Sequence, residues 1–194
     1  MSDTTDTTGE SGAAATTVYD RFTALAKRAI VGARDAADSL GHDFIGTEHL
    51  LLGLAQTAGV ASEALRAHGI ELGRLREETA RQIAAEGVAS THGQAAKDAL
   101  SILGIDVAEI RRRADETFGP NAFKYPRAAF SLSAKKAVQT SLQEARELGH
   151  ERIDTEHLLL AVLTRDDGAV RVLGTLGVGT EALRRSVLDR TASA

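Results

Sequence analysis

The strongest constraint on the fold is an internal duplication. Residues 22–83 align with residues 130–191 without a gap, and 20 of the 62 aligned positions are identical. The hexapeptide Thr-Glu-His-Leu-Leu-Leu occurs in both copies, at 47–52 and at 155–160, and a Leu-Gly-His triplet precedes it each time. A duplication of this length predicts two copies of one supersecondary unit.

Each copy reads as four short helices. Apolar residues recur at helical spacing, and glycines at 41, 69, 149 and 177 mark helix ends. In the first copy the expected helices are about 23–39, one beginning at 47, about 60–68 and about 72–86. Thr47 and Thr155 are expected to be the N-caps of the second helices. Because some 60 residues bury only a marginal core, we expect the copies to pack as one all-α body with pseudo-twofold symmetry and no sheet.

Composition restricts the possible functions. The chain is 43% apolar and 26% charged, has no cysteine, and carries a net charge of −4. These values fit a globular protein without disulfides or thiolate chemistry, and they argue against a nucleic-acid partner. No apolar run approaches the ~18 residues that a membrane span needs, and the N-terminus has no signal-peptide pattern. We therefore expect a cytoplasmic protein without a membrane partner.

The remaining segments complete the domain plan. Residues 1–17 are rich in Ser, Thr, Asp, Gly and Ala and are expected to be a disordered tail. Residues 18–86 form repeat 1 and residues 130–191 form repeat 2. Between them, 87–129 is a linker whose stretch 98–119 resembles the helix-Gly-helix end of a repeat, an inserted half-unit. No G-x-x-x-x-G-K-[ST] motif occurs in the chain, so ATP hydrolysis is not expected.

The polar start of the hexapeptide has two interpretations. Thr-Glu at 47–48 and 155–156 either caps a helix and matches its dipole, or contacts a ligand. The histidines at 42, 49, 150 and 157 are interpreted as residues packed near helix starts. Because they lack H-E-x-x-H spacing, we expect neither a metal nor a cofactor.

The chain resembles the Clp repeat domain, the N-terminal domain of ClpC-type Hsp100 unfoldases. The resemblance is carried by FTALAKRAI with LGHDFIGTEHLLLGL, by FSLSAKKAV with LGHERIDTEHLLLAVL, and by ALRAHGI and VLGTLGV at the matching interval. It covers about residues 19–189. The inserted half-unit is more similar to stand-alone Clp-repeat proteins of high-GC actinobacteria than to the linker of a full unfoldase.

The resemblance implies a docking module for adaptors and for substrates marked with phosphoarginine. Carried over by position, the ligand-binding residues are Thr23 with Glu48 in repeat 1 and Ser131 with Glu156 in repeat 2. A helix start and a hydroxyl suit a phosphoryl group, and a carboxylate suits a guanidinium. The turn that follows each hydroxyl, Ala-Leu-Ala at 24–26 and Leu-Ser-Ala at 132–134, departs from the charged turn usual in the family.

The resemblance also implies a surface for cyclic-peptide antibiotics, which would comprise Tyr19, Phe130 and Lys135. The function expected from the sequence is therefore non-enzymatic binding in the Clp proteolysis system. The protein would act as an adaptor, as a competitor for clients of Clp subunits, or as a decoy that sequesters cyclic peptides. The alternatives are a regulatory scaffold that has lost ligand binding, or a small hydrolase that uses the two glutamates and the histidines.

Overall fold

The computed structural model describes residues 18–85 and 128–192, and six residues between them: Asp106, Glu109, Arg112, Arg113, Glu116 and Thr117. A 3-10 turn at Val18–Arg21 leads into the first of the eight helices that these residues form. The helices are α1 (Ala24–Leu40), α2 (Thr47–Gln56), α3 (Val60–Ala67), α4 (Leu72–Ala85), α5 (Leu132–Glu147), α6 (Thr155–Leu163), α7 (Gly168–Thr175) and α8 (Thr180–Thr191).

The helices of the two repeats start at equivalent positions. Helices α3 and α7 begin and end at positions that are 108 residues apart, which is the offset of the sequence duplication. Four of the helix connections turn at glycines with φ of 73° to 79°, at Gly41, Gly69, Gly149 and Gly177. Glycine adopts this left-handed conformation without steric cost, so it ends helices efficiently. The predicted four helices per repeat and their glycine stops are confirmed, whereas the predicted tail and most of the inserted half-unit lie outside the described residues.

The N-caps of α2 and α6 differ from the expectation. Thr47 and Thr155 are the first helical residues, and the caps are Gly46 and Asp154. The Thr47 hydroxyl oxygen instead accepts a hydrogen bond from the backbone N–H of Ala169, at 3.2 Å. The threonine therefore joins the starts of α2 and α7, which belong to different repeats.

The expectation of no sheet is wrong. Two-residue strands β1 (Phe44–Ile45) and β2 (Ala129–Phe130) pair in parallel, and an isolated parallel bridge joins Phe22 to Ile153. The two pairings are equivalent under the duplication, and each crosses between repeats. The backbone N–H groups of Ser131 and Thr23 donate to the carbonyls of Ile45 and Ile153, each at 2.9 Å. The segment before the first helix of each repeat thus binds the segment before the second helix of the other.

One apolar core joins both repeats. Its centre is the pair of leucine-rich helices α2 and α6, which contact each other and are buried along most of their length. Small residues let α1 approach α2 closely, because a Cβ placed on Gly53 would overlap the carbonyl oxygen of Ala29. Among the described residues, no helix combines the length and apolarity needed to cross a bilayer.

Candidate ligand pocket between the two repeats

The two predicted hydroxyls cap the first helix of each repeat. The Oγ atoms of Thr23 and Ser131 accept hydrogen bonds from the backbone N–H groups of Ala26 and Ala134, both at 3.1 Å. Both residues have extended backbone, as N-caps do. A hydroxyl that accepts from the backbone can also donate its own hydrogen, so a cap of this kind can bind a ligand without being displaced.

The structure pairs hydroxyl and acid across the repeats, not within them. Glu48 and Ser131 line one pocket of about 140 Å³, together with Asp167 and Arg171. Their meeting follows from the exchanged strands, because Ser131 donates to Ile45, three residues before Glu48. The predicted pairing of Thr23 with Glu48 and of Ser131 with Glu156 was therefore wrong.

We call the Glu48–Ser131 pocket the first corner. The second corner is the region that is equivalent under the duplication, where Glu156 and Thr23 take the places of Glu48 and Ser131. Thr23 donates to Ile153, which stands three residues before Glu156, so the same crossed arrangement brings these two residues' segments together. The four predicted ligand-binding residues thus belong to two corners, and each corner draws on both repeats.

Glu48 is buried at the first corner and held on several sides. Only 6% of the residue is exposed. One carboxylate oxygen, Oε2, lies 3.4 Å from the Thr47 hydroxyl, and the other, Oε1, lies 3.3 Å from Nδ1 of His49. Burial raises the pKa of Glu48, but the contact with His49, the backbone N–H and the Thr47 hydroxyl together lower it below its ordinary value. A carboxylate that stays ionised while buried is suited to receive a cation.

Two glycines make room for that carboxylate. A Cβ built on Gly46 would overlap Oε1 of Glu48, and a Cβ built on Gly168 would overlap Oε2. Neither glycine has a positive φ, so backbone conformation does not require glycine at these positions. Glycine is required there because the backbone approaches the carboxylate closely.

Glu156 has a different setting at the second corner. It is 8% exposed, but its Oε1 lies 3.7 Å from Nδ1 of His157, a longer distance than at the first corner. Burial raises the pKa of Glu156; its backbone N–H opposes this rise, and the negative charge of Asp154 adds to it. The net shift is upward, opposite in direction to that of Glu48.

A histidine pair lies behind each glutamate. Nε2 of His49 is 2.9 Å from Nδ1 of His42, and Nε2 of His157 is 2.8 Å from Nδ1 of His150. At the second corner the backbone N–H of Asp154 donates to Nδ1 of His157, at 2.9 Å, and the equivalent bond from Gly46 reaches His49. Burial and the neighbouring His150 lower the pKa of His157 to about 4. His157 is therefore neutral near pH 7, with its proton on Nε2, and it donates to His150.

The ligand atoms of His150, Glu156 and His157 lie within 4.8 Å of one another, a separation at which such groups can hold a metal ion. However, Nε2 of His157 carries a proton in this hydrogen-bond pattern, and a metal would have to displace it. The geometry thus favours a structural role for the histidine pairs. The expectation of no bound metal stays a prediction.

The predicted antibiotic surface is described only in part. Phe130 is half-buried and packs against the core, and Lys135 is exposed. The side chain of Tyr19 lies outside what the structure describes. This surface stays a prediction.

Sequence reasoning missed most of the residues that line the first corner, among them Gly46, Asp167, Gly168 and Arg171. A signal for them was present in the duplication, because their equivalents in the other repeat are Asp154, Gly59, Val60 and Glu63. Positions that change in size or charge between two copies of one scaffold identify where the copies have diverged.

Comparisons with known proteins agree with this architecture. Residues 21–117 and 129–193 match the family model described as the Clp repeat (R) N-terminal domain. The chain is 32% identical over 174 residues to the chaperone ClpB of Oceanobacillus iheyensis. This aligned segment is 89% of this chain and 17% of the relative. The chain is 35% identical over 173 residues to the chloroplastic chaperone ClpC1 of Arabidopsis thaliana. This aligned segment is 88% of this chain and 15% of the relative. The chain therefore spans only about a sixth of the length of these relatives.

Solved structures show the same fold. The N-terminal domain of the caseinolytic protease associated chaperone ClpD from Arabidopsis thaliana is 27% identical, with a TM-score of 0.59 over 92% of this chain and 99% of that one. The Hsp104 N-terminal domain from Candida albicans, at 14% identity, has a TM-score of 0.58 over 89% of this chain and 93% of that one. From its helices, its crossed repeats and these matches, the chain belongs to the Clp repeat N-terminal domain family, a protein-interaction module of ClpB- and ClpC-type chaperones.

Proposed function

We propose that the chain docks adaptors or substrates of a Clp chaperone–protease system, and that it recognises a phosphorylated arginine side chain between its repeats. The observation that carries the proposal is the first corner. There a buried carboxylate, Glu48, lines the same pocket as the helix-start hydroxyl of Ser131 and the guanidinium of Arg171. A ligand with a cationic and an anionic end matches such a pocket.

The chemistry of each end is supplied by a different element. The Glu48 carboxylate at the start of α2 can accept two hydrogen bonds from a guanidinium, the strongest geometry for this pair. The start of α5 presents backbone N–H groups and the hydroxyls of Ser131 and Ser133, which lie 3.2 Å apart. Together with Arg171 from α7, they suit a phosphoryl group. Thr23 and Glu156 stand at the corresponding positions of the second corner.

Binding rather than catalysis is proposed because the carboxylates do not share a site. Glu48 and Glu156 lie at separate corners, each beside a histidine that is hydrogen-bonded to the backbone. A hydrolase that used both acids would need them on one substrate. As a docking module the protein would serve as an adaptor, would compete with Clp subunits for clients, or would sequester cyclic peptides through the surface of Phe130 and Lys135.

Calorimetric titration with free phosphoarginine tests the proposal. Glu48→Gln should weaken binding by ~1.5–3 kcal/mol, the range for a hydrogen bond to a charged group. Glu77→Gln is a matched control, because Glu77 is an exposed acid in the same repeat and does not line the pocket. Its affinity should equal that of the wild type.

The contrary result is equally clear. If the wild type releases no heat and gains no thermal protection at millimolar ligand, phosphoarginine recognition is wrong. The regulatory scaffold without ligand binding would then be the better account.

A further inference from the structure

We infer that the two corners are not equivalent, and that the chain binds one guanidinium-bearing ligand, at the first corner. The inference rests on the proposed function, because it assigns the ligand named there to one of two related sites. Three differences between residues that stand 108 positions apart support it.

The first difference is space around the carboxylate. At the first corner, Gly46 and Gly168 leave the room that the Glu48 oxygens occupy. The equivalent residues at the second corner are Asp154 and Val60. The start of α3, where Val60 stands, adjoins the second corner, because a Cβ on Gly59 would lie 2.6 Å from the Thr155 hydroxyl. At the second corner, side chains therefore stand at both positions where glycines leave room at the first.

The second difference is charge. The first corner offers a base, Arg171, beside the acids Glu48 and Asp167. At the second corner the position of Arg171 is taken by Glu63, an acid, which repels the anionic end of the same ligand.

The second corner also has two arginines, at different positions. Arg152 and Arg190, which stand at the positions of Phe44 and Gln82, donate to oxygens of Phe22 and Ser186 respectively. Neither arginine stands at the position that Arg171 takes at the first corner.

The third difference is the state of the carboxylate. Burial raises the pKa of Glu156 and the negative charge of the adjacent Asp154 adds to the rise, whereas the pKa of Glu48 is lowered. An acid that is harder to ionise is a poorer partner for a guanidinium.

The test uses a glycine pair within α7. Gly168→Ala adds a methyl group against the flexible end of Glu48, whereas the control Gly174→Ala adds one where no atom lies within 4 Å. Alanine is a better helix former than glycine, so Gly174→Ala should lose no thermal stability, and thermal unfolding of Gly168→Ala shows separately that the fold is kept. In titrations with free phosphoarginine, we expect a wild-type stoichiometry of one. Gly168→Ala should bind about tenfold or more weakly, while Gly174→Ala and Glu156→Gln should bind like the wild type.

The outcomes separate the two claims. Two sites of equal affinity, or a Gly168→Ala variant that binds like the wild type, would overturn the non-equivalence and leave phosphoarginine docking in place. Loss of binding through Glu156→Gln with Glu48→Gln unaffected would also overturn it, because the ligand would then occupy the other corner. A wild type that binds no phosphoarginine would overturn the docking function itself and this inference with it.

Discussion

The two corners share a scaffold and differ in what surrounds the acid. Both have an N-cap hydroxyl that accepts at 3.1 Å, a histidine pair at 2.8–2.9 Å, and a strand segment borrowed from the other repeat. Yet the carboxylate is flanked by Gly46 and Gly168 at one corner, and larger residues stand at the equivalent positions of the other. The bonds that build the corner are thus retained in both copies, and the residues that meet the carboxylate have changed.

This contrast separates the requirements of folding from those of binding. Cap, histidine pair and strand exchange satisfy backbone groups that would otherwise be buried without partners, so both copies need them. The space and charge around a glutamate are not needed for folding. A duplicated domain can therefore change the chemistry of one corner without loss of its fold.

The largest effect should be symmetric. Leu51 and Leu159 are equivalent residues of α2 and α6, and both are 0% exposed. Truncation of either to alanine leaves a cavity in the shared core and should cost about 2–5 kcal/mol of unfolding free energy. Urea denaturation of both variants measures this. If the losses of unfolding free energy in the two variants differ by more than about twofold, the two repeats do not contribute equally to the core.

A smaller effect should be opposite in sign at the two corners. The pKa of Glu48 lies below its ordinary value of 4.5, so its contribution to stability is present above that pH and is lost as the pH falls through the folded-state pKa. The pKa of Glu156 lies above 4.5, so the folded state holds that proton more tightly, and stability declines as the pH rises from 4.5 through the folded-state pKa.

The corresponding variants sharpen this comparison. At about pH 7, Glu48→Gln should be less stable than the wild type, whereas Glu156→Gln should be equally or more stable. As the pH falls through the folded-state pKa of each acid, that acid takes up a proton and the corresponding difference should shrink, at a lower pH for Glu48 than for Glu156. Urea unfolding of the three proteins as a function of pH provides the measurement. A Glu156→Gln variant that is as destabilised as Glu48→Gln would contradict the difference between the corners.

Local features of this fold could be predicted from the sequence. Helix periodicity and glycine stops act within a few residues, so α1, α3 and α4 were located to within one residue at each end. The N-caps were misplaced by one residue, because a threonine looked like a cap when the glycine or aspartate before it has that role.

The crossed pairing could not be predicted in this way. Thr23 and Glu48 belong to the same repeat, so the sequence favours pairing them. No local pattern shows that the backbone N–H of Ser131, from the other repeat, donates to the strand before Glu48. That contact depends on how two copies exchange segments, which is a property of tertiary packing. The role of Arg171 was missed for the same reason, because α7 of one repeat reaches the start of α2 in the other.

A double-mutant cycle on phosphoarginine affinity tests the cross-repeat pocket most directly. The four proteins are the wild type, Ser131→Ala, Glu48→Gln and the double variant, and a parallel cycle replaces Ser131→Ala with Thr23→Ala. Both alanine variants lose an equivalent N-cap, so their effects on helix stability are matched. We predict a coupling energy of at least ~0.5 kcal/mol between Ser131 and Glu48, and additivity between Thr23 and Glu48. Coupling of Thr23 with Glu48, and none of Ser131 with Glu48, would contradict the account.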